Sequence, residues 1–110
     1  MNDIYITRDF KLKEFESPDT HQVIIDHAHI YRLQLLRTIV DAPFIITSGY
    51  RTISHNTYVG GSKNSFHLYG KATDIKITDF DVRALCNIAS HLLFIEVIPN
   101  IKEGYIHLAG

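Results

Sequence analysis

The sequence predicts an α+β domain: a small, mostly antiparallel sheet with helices packed on one side. Two stretches carry apolar residues at helical spacing, and four short runs are β-branched or alternate between apolar and polar residues. Their order is arm, helix, strand, loop, strand, helix, hairpin, which favours local pairing of strands. The 110 residues suit one domain, 1–110, with one core. Apolar residues make up 45% of the chain, which excludes a disordered composition.

Residues 1–20 read as an extended arm, anchored by Phe10, Leu12 and Phe15, with a turn at Ser17-Pro18-Asp19. From Asp26 to Val40 the period becomes helical: Ile30, Leu33, Leu36, Arg37 and Val40 share a face, and Asp26 is placed to cap it. Asp41-Ala42-Pro43 ends that helix. Phe44-Ile45-Ile46-Thr47 reads as a buried strand. Residues 54–66 suggest a short helical turn and then a loop. Ala72 to Ile77 alternates like a half-buried strand. A second helix is predicted from Asp79 to His91, with Thr78 or Asp79 as cap and a stripe of Val82, Leu85, Ile88, Ala89 and Leu92. Leu93–Ile98 and Gly104–Ala109 are the closing strands, joined by a turn over Pro99–Glu103.

Eleven basic and twelve acidic side chains leave a net charge of −1. That balance gives no long-range attraction to nucleic acid or to an anionic membrane. The single cysteine, Cys86, cannot form an internal disulfide and fits as a small apolar residue on a helix. The first 15 residues mix charges and do not resemble a signal peptide, so the chain is expected to be soluble and made in the cytoplasm.

The chemistry concentrates in Ser65-Phe66-His67-Leu68-Tyr69-Gly70-Lys71-Ala72-Thr73-Asp74. His67 and Asp74 lie seven positions apart, and Gly70 lets the backbone turn so that both side chains face one point. His107 sits between Ile106 and Leu108 in the last strand, so its ring points to the opposite face. Two imidazoles and one carboxylate suit Zn²⁺ and leave a fourth position for water; a lone cysteine argues against a closed thiolate site. The competing reading is a hydrogen-bonded His67–Asp74 pair beside a satisfied core His107.

These residues also carry a resemblance. Ile46-Thr47-Ser48-Gly49-Tyr50-Arg51, His55-Asn56, Val59-Gly60-Gly61-Ser62, Asn64-Ser65-Phe66-His67 and Gly70-Lys71-Ala72-Thr73-Asp74 together resemble the zinc D-Ala-D-Ala carboxypeptidase family, peptidase family M15. Phe10-Lys11-Leu12-Lys13-Glu14-Phe15 is similar to the family's opening segment, and Tyr105-Ile106-His107-Leu108 to its last ligand strand. The resemblance implies a hedgehog/DD-peptidase-like fold, Zn²⁺ as cofactor, and His67, Asp74 and His107 as its ligands. It implies that Arg51 meets the substrate, polarising the scissile carbonyl or holding a carboxylate, where a guanidinium fork suits the geometry. A structural salt bridge is the alternative for Arg51. Ser48 and Tyr50 are further candidates for the site wall, with Tyr50 more ordinary as a core residue.

A general base is harder to place. The resemblance implies an acid or histidine near the last ligand, yet Gly104, Tyr105, Ile106 and Ala109 surround His107. Glu96 and Glu103 remain. Pairing Ile98 with Gly104 would turn Glu96 away from His107, whereas a slip of one residue would bring it alongside. The expected function is a zinc-dependent peptidase cleaving D-alanine-containing peptides of bacterial peptidoglycan, as carboxypeptidase or endopeptidase. The alternatives are a zinc-containing wall-binding module without a working base and a metal-free partner-binding domain. A wall hydrolase without a signal peptide would act at the wall if phage-derived or exported.

Overall fold

A computed structural model describes all 110 residues. Helix α1 spans His27–Val40, and the Asp26 carboxylate caps it by accepting from the His29 N–H. This satisfies one of the donors that a helix start leaves free. Ile30, Leu33 and Leu36 form its buried stripe. Arg37, expected on that stripe, instead approaches Asp9 at 3.8 Å. Strand β1 is Ile46–Ser48, helix α2 Ile53–Tyr58, strand β2 Ala72–Lys76, helix α3 Val82–His91, strand β3 Glu96–Asn100 and strand β4 Tyr105–Ala109. The sheet runs β1-β2-β4-β3 and every pairing is antiparallel.

The two faces of the sheet do different work. Ile75, Ile106 and Leu108 join Ile30, Leu33, Leu36, Leu85 and Ala89 in one buried cluster, so α1 and α3 cover this face. Asp74, His107, Ile98 and Glu96 alternate onto the other face. There α2 packs beside a 3-10 turn, Phe66–Tyr69.

Several boundaries differ from the sequence reading. The arm is folded back on itself: Tyr5 bridges to Lys11, a 3-10 turn covers Leu12–Phe15, and Phe10 and Phe15 reach the core while Leu12 stays half-buried. Phe44 packs against Phe10 and Phe80 instead of pairing in the sheet, so β1 begins later than predicted. The same Phe44–Phe80 contact pins the segment ahead of α3. The cap of α3 is therefore Asp81, which accepts from the Ala84 N–H, and not Thr78 or Asp79. β2 was expected to be half-buried, but Ala72 to Ile75 are all buried because two strands flank β2. Leu93 takes φ +68° and ends α3, so β3 starts at Glu96 and includes Pro99. Proline is tolerated there because β3 is an edge strand. The connecting turn is 101–104, closed by Gly104 at φ +81°.

His29 was not singled out by the sequence reading, yet it is fully buried. Its Nδ1–H donates to the Gly110 carbonyl (3.2 Å), and its Nε2 accepts from the Thr73 hydroxyl (2.8 Å). Burial pushes its pKa from 6.5 down to about 4, against the pull of the Gly110 hydrogen bond. The unfolded chain takes up this proton near pH 6.5 and the folded chain only near 4. Stability from this group is therefore complete above pH 6.5 and is lost as pH falls toward 4. At pH 5 the loss should be roughly 2 kcal/mol relative to pH 7.5. Urea unfolding at the two pH values checks this. His29→Gln should be less stable at pH 7.5 and should show a visibly smaller loss on going to pH 5.

Candidate metal centre

His67 sits in the 3-10 turn, where the Ser65 hydroxyl accepts from its backbone N–H (3.2 Å). Gly70 closes that turn at φ +69°, and a Cβ there would collide with the Ile24 carbonyl, so only glycine fits. The His67 Nδ1–H donates to the Gly49 carbonyl at 2.6 Å. A carbonyl can only accept, so Nε2 carries the lone pair. That Nε2 is buried, lacks a hydrogen-bond partner and lies 3.4 Å from Asp74 Oδ1. Two electron-rich atoms facing each other out of water are unfavourable unless a cation joins them.

Asp74 and His107 are direct partners across β2 and β4, with Oδ1 and Nδ1 2.8 Å apart. Burial would raise the Asp74 pKa, but its interactions, led by the hydrogen bond with His107, outweigh that and hold it at about 2. The other ring nitrogen of His107, Nε2, lies 2.8 Å from Glu96 Oε1. A neutral imidazole donates only once, yet both nitrogens of this ring face carboxylate oxygens. Burial lowers the His107 pKa, and the hydrogen bonds to Asp74 and Glu96 more than reverse it, so the net shift is upward. Without metal the two carboxylates therefore favour a proton on each ring nitrogen more than water does. With a cation at Nδ1 the same ring can donate Nε2–H to Glu96, the usual arrangement of an imidazole ligand held by a carboxylate.

One ligand atom each from His67, Asp74 and His107 falls within a common 4.8 Å span. Two imidazoles and a carboxylate, one nitrogen of them buried and unpartnered, form a donor set that fits a divalent cation.

The family model described as Peptidase M15 matches residues 9–109. The chain belongs to the peptidase M15 family. It is also similar to the zinc D-Ala-D-Ala carboxypeptidase of Streptomyces albus G, with 32% identity over 85 residues. The match covers 74% of this chain and 33% of that protein, so the M15 chain spans about a third of the length of this curated relative.

Around the three ligand candidates this M15 chain builds an open cavity of about 310 Å³, lined among others by Arg51, Ser65, Phe66, Glu96, Ile98 and Tyr105. Arg51 is held on three sides. Its Nε donates to Ser48 Oγ (3.0 Å), its Nη1 to Asn56 Oδ1 (3.2 Å) and its Nη2 to Asp74 Oδ2 (3.4 Å). Ser48 reaches Arg51 because a bulge in β1 pairs Ile46 with Ile75 but Ser48 with Asp74. The Asn56 amide is fixed in turn by the Ser62 carbonyl (2.8 Å). Asn56 had no assigned role in the sequence reading. Its signal was the polar HNTYVGGS run, where Gly61 lies so close that a Cβ would strike the Asn56 side chain. Tyr50 is half-buried and lines a neighbouring hollow with Arg51 and Lys63.

The two glutamates separate. Ile98 pairs with His107, three residues from the Ile98–Gly104 register considered above, which puts Glu96 on the same face as His107. Glu103 is exposed in the turn and is not among the residues lining the cavity; its backbone N–H donates to Asn100 Oδ1.

Zinc added to metal-free protein should raise its unfolding temperature, and His67→Ala should abolish the rise, as thermal denaturation with and without chelator will test. Glu96→Gln should retain zinc but bind it about tenfold more weakly, in the range for a lost ligand partner, measurable by competition with a zinc chelator.

Proposed function

We propose that this chain is a zinc-dependent peptidase acting on D-alanine-containing peptides of bacterial peptidoglycan. The observation carrying the reading is the buried, unpartnered His67 Nε2 aimed at Asp74 beside His107, with Arg51 in the same cavity. The M15 match and the printed name of the Streptomyces relative support it. His67 Nε2, Asp74 Oδ1 and His107 Nδ1 would hold the ion. Zinc in such a set supplies a Lewis acid that polarises a carbonyl and acidifies water.

The protein's own side chains do the rest. Three of the five N–H donors of Arg51 hold it in place, leaving two for a substrate oxygen. Fixed in advance, the guanidinium stabilises negative charge on a peptide oxygen without reorganising. Glu96 and Asp74 are the carboxylates lining the cavity. Asp74 is held ionised near a pKa of 2 and is committed to its neighbours. Glu96 is thus the group for proton transfer: its carboxylate takes a proton from water and passes it to the leaving amine nitrogen. The same carboxylate orients His107 through Nε2. The proposed place of action is the bacterial wall, reached by export or as part of a phage.

A second reading, a wall-binding module with little turnover, is favoured by the contact between Glu96 and His107, which would occupy the only candidate base in the cavity. The two readings separate when zinc-loaded protein is incubated with muropeptides and the products are separated by chromatography. Release of D-alanine or a shorter peptide, absent in His67→Ala, is expected. Sedimentation with peptidoglycan and no cleavage would favour the binding module. Among active preparations, Arg51→Ala should lower kcat/KM by about 100-fold, the cost of one well-placed oxyanion donor.

A further inference from the structure

The turn that follows β3 sets the orientation of the Tyr105 hydroxyl. Asn100 and Tyr105 are direct partners across β3 and β4, on the same face as His107 and Ile98. The Asn100 Oδ1 accepts from the Glu103 N–H at 3.2 Å, which settles the orientation of its amide. Its Nδ2 therefore donates, to Tyr105 Oη at 3.2 Å. The Tyr105 oxygen is used as an acceptor, and its own proton has no acceptor in the protein. Tyr105 lines the cavity with Ile98 and Phe66.

Tyr105 and His107 are two residues apart on one strand face, about 7 Å along the sheet. An extended peptide repeats its groups on the same spacing. A peptide whose reacting carbonyl lies at His107 thus brings the backbone carbonyl two residues along to Tyr105. We infer that the Tyr105 hydroxyl, set by Asn100, donates a hydrogen bond to the backbone carbonyl of the bound peptide that lies two residues from the scissile one. This rests on the peptidase reading and deepens it: Tyr105 anchors the substrate through its main chain, with Ile98 and Phe66 as apolar flanks.

The test compares zinc-loaded wild type, Tyr105→Phe and Asn100→Ala. Steady-state kinetics on a peptide ending in D-alanyl-D-alanine is paired with calorimetric binding of the product peptide. Tyr105→Phe should raise KM and weaken product binding by roughly tenfold, the range of one hydrogen bond, with kcat within about twofold of wild type. Asn100→Ala should shift both in the same direction by less, because the hydroxyl remains but is no longer set. Unchanged urea midpoints would show that both variants fold. Wild-type KM and product affinity in Tyr105→Phe would overturn the inference, as would a fall in kcat alone. If wild type itself neither binds nor cleaves the peptide, the peptidase reading fails and carries the inference with it. That result is seen in the unmutated protein and is distinct from failure at Tyr105.

Discussion

The Asp74 carboxylate is buried on an inner strand of the sheet and stays charged, and much of the surrounding structure follows from that requirement. A buried charge is tolerated only when paired and hydrogen-bonded. Asp74 has His107 at 2.8 Å and both His67 and Arg51 at 3.4 Å. The three partners come from distant parts of the chain. The carboxylate thus ties β4, the loop after β1 and the 3-10 turn ahead of β2 to a single point. Removing it would leave a cationic arginine and two imidazoles crowded together without their shared anion.

The sheet makes this arrangement possible by dividing its labour. Alternation sends Ile75, Ile106 and Leu108 into the core under α1 and α3, and it sends Asp74, His107 and Glu96 to the opposite side. Core packing therefore sets the depth and register of the site without sharing side chains with it. His29 links the two sides: it is buried beneath β2 and bonds Thr73, the residue before Asp74.

Loops shape the polar half of the cavity. Ser48, Asn56 and Ser62 form a relay that holds Arg51. The 101–104 turn holds Asn100, and Asn100 holds Tyr105. In both cases a backbone group orients a side-chain amide, which then orients the residue facing the cavity. Such support narrows the positions open to Arg51 and Tyr105 before any ligand arrives.

The α+β class, helix α1 with its Asp26 cap, the approximate strands and the family were legible in the order of residues. His67, Asp74 and His107 stood out as metal-suited side chains, and the resemblance to the family gave them their role as ligands. Local periodicity carries the helices and strands. It could not decide between Glu96 and Glu103 as neighbours of the site, since a strand reads the same in any register. Nor could it reveal His29 or Asn100, or the hold of Asn56 on Arg51. These emerge from the folded chain, because each depends on which distant backbone or side-chain group lies opposite. The pairing of β3 with β4 sets Val97 opposite Leu108 on the core side, and the same pairing sets Glu96 beside His107 on the other.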